Sequence, residues 1–104
     1  MSQWHDAIDL DQLPEGGKAC VRVNDKPMVA IRVEGACHVI EDVCPHAGFP
    51  LGEGDLAGRV LTCPYHGFTY DVVTGRNVDD PDDVPVKRYP CEVRDGKLRV
   101  DIEG

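Results

Sequence analysis

The sequence predicts an all-β fold, a small antiparallel β-sandwich or barrel with an inserted loop-rich subdomain. Three features predict this class: apolar residues alternate with polar ones in several segments, tight-turn residues separate those segments, and only one short segment favours a helix. A chain of 104 residues with eight prolines and eleven glycines suits many short strands joined by loops. We therefore predict a single domain that spans residues 1–104.

Each predicted strand shows the alternation of a half-buried strand. The apolar sides consist of Ala19, Val21 and Val23 in KACVRVN, Val29, Ile31 and Val33 in PMVAIRVEG, and Leu98, Val100 and Ile102 in KLRVDIEG. The turn sequences NDKP and EG follow the first two, and Asp95-Gly96 predicts a two-residue hairpin between CEVR and KLRVDI. The segment DLDQLPEG looks helical, but Pro14 limits it to about one turn.

Glycine and proline are concentrated in three further segments, approximately 43–58, 63–70 and 77–85. These segments predict loops mounted on the frame of strands, which is where binding residues usually lie. The third loop contains the run NVDDPDDVP, with four aspartates at positions 79, 80, 82 and 83.

The formal net charge is −8, from 19 acidic and 11 basic residues. This charge argues against nucleic acid as a partner. It suits either solubility alone or docking on a basic protein face. The N-terminal sequence has no basic start followed by an apolar run, and no apolar stretch is long enough to span a membrane. We expect a cytoplasmic protein with no membrane partner.

The chain has five cysteines, an odd number that cannot pair completely within one molecule. Reduced thiols or metal ligation are the better expectation for a chain without an export signal. Cys20, Cys37 and Cys91 lie in strand-like surroundings, so we interpret them as small, inert residues.

The most informative stretch is CPHAGFPLGEGDLAGRVLTCPYHG, residues 44–67. Cys44 and His46 open it, and Cys63 and His66 close it. Two cysteines with two histidines suit a tetrahedral zinc site, but zinc motifs usually place the cysteines in one close pair and the histidines in another. Here each half supplies one thiolate and one imidazole. This mixture suits two neighbouring metal ions, because each half can then reach both of them.

The stretch resembles the Rieske motif, C-x-H followed after fifteen to seventeen residues by C-x-x-H, with sixteen residues in between here. The resemblance covers nearly the whole chain. It implies the Rieske fold, in which the loop-rich subdomain binds one [2Fe–2S] cluster per chain. It assigns Cys44 and Cys63 to the inner iron, and His46 and His66 to the outer iron.

The resemblance also implies roles for neighbouring residues. Gly48 and Gly67 would let backbone N–H groups approach the cluster sulfurs, although ordinary turn geometry explains both glycines as well. Shielding of the cluster from water is assigned to Phe49, Pro50, Leu51 and Phe68. Leu51 suits the protein core equally. His5 and His38 are excluded as ligands, because a lone histidine in a strand is usually structural or exposed.

The resemblance implies a carrier of single electrons rather than an enzyme. A terminal oxygenase needs a separate iron site, usually two histidines and a carboxylate, and outside the motif this chain has only His5 and His38. It also lacks a flavin or nicotinamide fingerprint. The chain is similar to the ferredoxins of bacterial multicomponent dioxygenase and monooxygenase systems, which serve aromatic hydrocarbon catabolism.

In such systems an NAD(P)H-dependent flavoprotein reductase reduces the ferredoxin, which passes electrons singly to a terminal oxygenase. We therefore expect these two partners, bound transiently and electrostatically, and a monomeric carrier. Two alternatives stay open. One is the small Rieske-like subunit of an assimilatory nitrite reductase, and the other is a structural zinc-binding interaction module.

Three positions favour a low reduction potential. Respiratory Rieske proteins have a disulfide between the two cluster loops at the positions of Phe49 and Tyr65, and a serine donor at the position of Phe68. Tyr70, in contrast, matches a respiratory tyrosine whose hydroxyl approaches a cysteine sulfur. Because lost donors favour the oxidised form, we expect a potential near the lower end of the family's range, about −150 mV.

Overall fold

The computed structural model describes residues 3–45, 48–65 and 67–103. Its strands, in chain order, are β1 (Trp4–Asp9), β2 (Gly17–Val23), β3 (Lys26–Val33), β4 (Ala36–Glu41), β5 (Asp55–Ala57), β6 (Val60–Thr62), β7 (Thr69–Asp71), β8 (Arg88–Tyr89), β9 (Cys91–Arg94) and β10 (Lys97–Asp101). They form three antiparallel sheets with the orders β1–β10–β9, β2–β3–β4–β8 and β5–β6–β7. The predicted all-β antiparallel class is confirmed.

The central sheet, β2–β3–β4–β8, separates two hydrophobic cores. Alternate residues of β3 face opposite cores, Met28 and Ala30 on one side and Val29 and Ile31 on the other. We call the first the frame core (Leu13, Val23, Met28, Ala30, Val39, Tyr89, Leu98, Val100, Ile102) and the second the site core (Val29, Ile31, Val33, Ile40, Cys44, Leu51, Leu61, Cys63, Tyr70, Val72, Val86). The alternation predicts burial of β3 on one face only. That prediction is wrong, because a layer covers each face.

Three hairpins of the same kind join the longer strands. Their two-residue turns are Asn24-Asp25, Glu34-Gly35 and Asp95-Gly96, and all six residues have positive φ between 51° and 77°. Positive φ at both turn residues is the geometry whose twist matches that of antiparallel strands. Asn, Asp and Gly enter this left-handed region more easily than most residues. The turn predicted at residues 95–96 is therefore confirmed in both place and type.

Two further local features can be compared with the sequence pattern, and one of them differs from it. The segment predicted as helical forms a 3₁₀ turn at Leu10–Gln12, the single turn that was expected. Asp101 lies on the polar side of the KLRVDIEG alternation, yet it is 5% exposed. Its carboxylate accepts hydrogen bonds from the backbone N–H groups of Gln3 and Glu103, which compensates for its burial. Within the described ranges, no helix is both long and apolar enough to cross a bilayer.

The loop-rich segments are more ordered than predicted. The chain from 55 to 71 contains a sheet of its own, because β5, β6 and β7 pair antiparallel in succession. Each of these strands has only three residues. The first cysteine loop therefore runs from β4 of the central sheet to β5, and the second connects β6 with β7. The site core packs this small sheet against the central sheet.

Candidate metal centre

The first loop of the motif begins at Cys44 and is closed by two backbone hydrogen bonds. The Cys44 N–H donates to the carbonyl of Phe49 over 2.8 Å, and the Gly48 N–H donates to the carbonyl of Cys44 over 2.9 Å. Gly48 has φ of 73°, a left-handed conformation in which a side chain would be strained. The glycine thus lets the chain turn back on the cysteine within a few residues.

The second loop repeats this geometry. The Cys63 N–H donates to the Phe68 carbonyl over 2.7 Å, the Gly67 N–H donates to the Cys63 carbonyl over 3.0 Å, and Gly67 has φ of 74°. The offsets from cysteine are the same as in the first loop. The two loops are therefore of equal length, although the sequence places His46 two residues and His66 three residues after the cysteine. Both predicted histidine ligands lie outside the described residues.

The two cysteine thiols lie on the inner side of their loops. Cys44 is 1% exposed, Cys63 is fully buried, and both belong to the site core. The outer parts of the same loops are exposed, including Pro50 and Pro64. The resemblance assigns these two thiolates to the inner iron, and that assignment stays a prediction.

Tyr70 is a polar neighbour of the first thiol. Its hydroxyl oxygen lies 3.8 Å from Cys44 Sγ, and its side chain is fully buried in the site core. Burial raises the pKa of Tyr70 well above its usual value, and the contact with Cys44 raises it further. The hydroxyl therefore keeps its proton and can donate toward the sulfur.

The first loop is anchored at Gly52, where the chain returns from the tip. The Gly52 N–H donates to Asp42 Oδ1 over 2.7 Å, and Lys18 Nζ donates to the Gly52 carbonyl over 2.6 Å. A Cβ at position 52 would collide with Cys20 Sγ. Cys20, interpreted from the sequence as inert, thus packs against the returning loop through its sulfur.

Gly54 fixes the same segment to the short sheet. Its N–H donates to the carbonyl of Leu51 over 2.9 Å. A Cβ here would collide with the backbone carbonyl of Thr62 in β6, which cannot rotate away. The first loop and β6 approach so closely that only glycine fits between them. Nothing in the motif spacing marks this glycine, so sequence reasoning missed it.

An aromatic pair links the exposed sides of the two loops. The rings of Phe49 and Tyr65 are stacked, with centroids 4.3 Å apart and an interplanar angle of 27°. The Tyr65 hydroxyl donates to Glu53 Oε2 over 2.7 Å. Phe49 was predicted to shield the cluster, but at 43% exposure it is only partly covered, whereas Leu51 is fully buried. The pairing with Tyr65 was not predicted.

The acidic third loop is attached to β7, the strand that follows the second cysteine loop. The Val78 N–H donates to the Thr69 carbonyl over 2.8 Å, and Thr69 Oγ1 donates to Asp79 Oδ2 over 3.2 Å. Asn77, 3% exposed, accepts from the N–H groups of Asp79 and Asp80 through its Oδ1. The aspartates of this loop are thereby placed beside the second cysteine loop.

Cys37, His38 and Cys91 lie in strands β4 and β9 rather than in the cysteine loops. Cys37 and Cys91 pack against the frame core, and Cys91 Sγ donates to the Cys37 carbonyl over 3.3 Å. His38 Nδ1 lies 3.2 Å from Arg88 Nη2, and burial, followed by the charge of Arg88, lowers the pKa of His38. Over the described ranges, no three His, Cys, Asp or Glu side chains are grouped to hold a metal ion.

The described half of the donor set fits an iron–sulfur cluster. Both thiols are buried in the site core at the start of equivalent loops, and the Tyr70 hydroxyl approaches one of them. Thiolates are the ligands that iron–sulfur clusters require. An all-β frame that carries two buried thiols in equivalent loops suits a small iron–sulfur protein.

A family model described as the Rieske [2Fe-2S] domain matches residues 3–90. The chain therefore belongs to the Rieske [2Fe–2S] domain family and carries one [2Fe–2S] cluster. It is 33% identical over 100 residues to the ferredoxin component of the naphthalene 1,2-dioxygenase/salicylate 5-hydroxylase systems of Ralstonia sp., with 96% of each chain covered.

Solved structures agree with this placement. The Sphingomonas yanoikuyae B1 ferredoxin superposes with a TM-score of 0.86 at 25% identity, covering 95% of this chain and 98% of that one. A chain in the complex of reduced oxygenase and oxidised ferredoxin of carbazole 1,9a-dioxygenase gives 0.84 at 32% identity, covering 94% and 92%. The chain is thus an electron-transfer component of the ferredoxin kind and not itself an enzyme.

Proposed function

We propose that this protein accepts single electrons from an NAD(P)H-dependent flavoprotein reductase and delivers them to a terminal oxygenase. The observation that carries the proposal is the match to a dioxygenase ferredoxin component over 96% of both chains. A cytoplasmic location is part of the proposal, because NAD(P)H is supplied there. The bound cluster supplies reversible one-electron chemistry, and the chain supplies its ligands and its exposed side.

We propose Cys44, Cys63, His46 and His66 as the ligands, within a single domain of residues 1–104 that has cluster loops at about 43–58 and 63–70 and a third loop at about 77–85. Burial of both thiols supports the inner position for the cysteines. The equal loop lengths support a pair of histidines on the outer side, since each loop then contributes one ligand to each iron.

Metal analysis with an absorption spectrum tests the ligand proposal. We expect red-brown protein with two irons and two acid-labile sulfides per chain. His46→Cys and His66→Cys should change the spectrum and lower the reduction potential, because each adds an anionic ligand. Cys37→Ser is the matched control and should change neither. One zinc and no sulfide in protein made under iron-replete conditions would support a zinc-stabilised module instead.

The acidic third loop supports transient docking of a monomeric carrier on basic partner faces. Asp79, Asp80 and Asp82 are exposed, and the loop lies beside the second cysteine loop. If these charges dock, the second-order rate of reduction by the reductase falls as salt rises to about 0.5 M, because exposed charges are screened. A rate that does not depend on salt would reject the docking role.

We also propose a low reduction potential, about −150 mV. Phe49 and Tyr65 cannot form a disulfide, and Phe68 offers no hydroxyl. The Phe68→Ser protein should have a higher potential by some tens of millivolts, because a hydroxyl donor stabilises the reduced cluster. Protein-film voltammetry at pH 7 measures both proteins. A wild-type potential well above zero would contradict the proposal.

A further inference from the structure

We propose that Phe49 and Tyr65 form a noncovalent clamp that holds the two cysteine loops in register, completed by the Tyr65–Glu53 hydrogen bond. Both aromatics are positioning residues that act through the loops and not ligands themselves. The inference rests on the proposed function, since it takes the two loops to be the ligand loops.

The position of each ring within its loop supports a clamp. The Phe49 carbonyl accepts the hydrogen bond from Cys44 N that closes the first loop. Tyr65 lies inside the second loop, between Cys63 and the glycine turn at Gly67. A contact between these two rings therefore connects the backbone that sets one thiol to the backbone that sets the other.

Tyr65 contacts the first loop twice, through its ring face on Phe49 and through its hydroxyl on Glu53. Two contacts fix the orientation of the ring, where a single contact would leave it free to rotate. Phe49 and Tyr65 are 43% and 48% exposed, so burial alone gains little at these positions. The two rings are stacked, and an aromatic pair stabilises beyond the area it buries.

Loss of the cluster to an iron chelator measures how well the loops are held together. Phe49→Leu and Tyr65→Leu retain apolar bulk but remove the stack, and we expect each to lose visible absorbance about two- to tenfold faster than wild type. Val93→Ala, at an exposed apolar residue of β9, is the matched control and should match wild type.

The double variant decides whether the two residues act as one unit. In a clamp, Tyr65→Leu already removes both the stack and the hydrogen bond to Glu53, so adding Phe49→Leu should not lose the cluster faster than Tyr65→Leu alone. Phe49→Tyr keeps an aromatic ring at this position and should lose the cluster at the wild-type rate. Tyr65→Phe and Glu53→Ala each remove only the hydrogen bond and should give equal, smaller increases.

A spectroscopic measurement separates positioning from stability alone. Loops that are no longer held in register should broaden the electron paramagnetic resonance lines of the reduced cluster in the leucine variants, and Phe49→Tyr should restore the narrow lines. The clamp is rejected if the rate increases of the single variants multiply in the double variant. It is also rejected if all variants match wild type, even where they slow reduction by a partner, because the pair would then serve docking only.

Failure of the clamp is distinguishable from failure of the proposed function. Wild-type protein without a Rieske spectrum would reject the function before any variant is made. Where a leucine variant does not fold, the Tyr65→Phe and Glu53→Ala proteins still decide, since they alter a single exposed hydrogen bond. Unequal effects of these two would show that the hydroxyl and the carboxylate do not act through each other.

Discussion

The frame core and the site core lie on opposite faces of one sheet, but they are built differently. The frame core joins long strands through two-residue hairpins, so its geometry follows from repeated backbone pairing. The site core joins three-residue strands to loops that are fixed by individual contacts, such as Gly52 with Asp42 and Gly54 beside Thr62. Changes in the frame core should therefore affect stability alone, whereas changes in the site core should also affect the cluster.

The largest expected effect compares two fully buried leucines, Leu98 in the frame core and Leu61 in the site core. Each Leu→Ala substitution removes buried side-chain volume and should lower the free energy of unfolding by about 2–5 kcal/mol. Denaturant unfolding followed by far-ultraviolet circular dichroism measures this loss. Only Leu61→Ala should also change the visible spectrum and speed cluster loss. Equal spectral changes in both variants would contradict the division between the cores.

The next effect compares a glycine of the cluster-loop region, Gly54, with a glycine of a frame hairpin, Gly35. Gly54→Ala forces a Cβ against the Thr62 backbone and should destabilise by about 1–3 kcal/mol, with accelerated cluster loss. In the frame, an added Cβ at Gly35 meets no atom within 4 Å, and Asn tolerates its left-handed φ of 75°. Gly35→Asn should therefore be close to neutral in both unfolding and cluster-loss assays. A neutral Gly54→Ala would show that the loop can move away from β6.

Two buried tyrosines sharpen the comparison through the reduction potential. Tyr70→Phe removes the hydroxyl beside Cys44. The potential should fall by about 20–60 mV, because a hydrogen bond contributes about 0.5–1.5 kcal/mol and about 59 mV is a tenfold change for one electron. Tyr89 lies in the frame core, and Tyr89→Phe should leave the potential unchanged. Voltammetry at a single pH gives both values, and an unaltered potential in Tyr70→Phe would remove this hydroxyl from the explanation.

The smallest expected effect is the pH dependence contributed by His38. Burial lowers its pKa in the folded protein below the usual 6.5, so the unfolded chain binds the proton more readily. Stability should consequently fall as the pH drops through about 6.5. His38→Gln should lose less stability than wild type between pH 7.5 and 5.5 in denaturant titrations, with no change in potential. The opposite order of the two proteins would show that His38 gains rather than loses proton affinity on folding.

The same division explains how far the sequence could be interpreted. Alternation and turn residues predicted the frame strands and the Asp95-Gly96 hairpin, because both signals are local. Strands β5 to β7 are too short to show alternation, and β1 has a register shift between Asp6 and Ile8 that disrupts its pattern. Tertiary packing determines their pairing.

The candidate site shows the same limit. The spacing of Cys44, His46, Cys63 and His66 supports a proposed ligand set through its resemblance to the Rieske motif. That ligand set stays a prediction. The contact between Phe49 and Tyr65 could not be predicted, since neither its distance nor its angle is encoded in spacing. The need for glycine at position 54 could not be predicted either, because it arises from the close approach of the Thr62 backbone in β6.

The burial of Cys44 and Cys63 beneath exposed loop residues has a kinetic consequence for the proposed carrier. The chain measures 37 × 29 × 20 Å, and the thiols lie in the site core while Pro50 and Pro64 of their loops are exposed. Electron tunnelling weakens steeply with distance, so under the proposed function donor and acceptor would both dock on the exposed side of the cysteine loops. The two partners would then compete for one docking surface, and each delivery would require one partner to dissociate before the other binds. A large excess of oxidised reductase should therefore slow electron transfer to the oxygenase, because it occupies that docking surface.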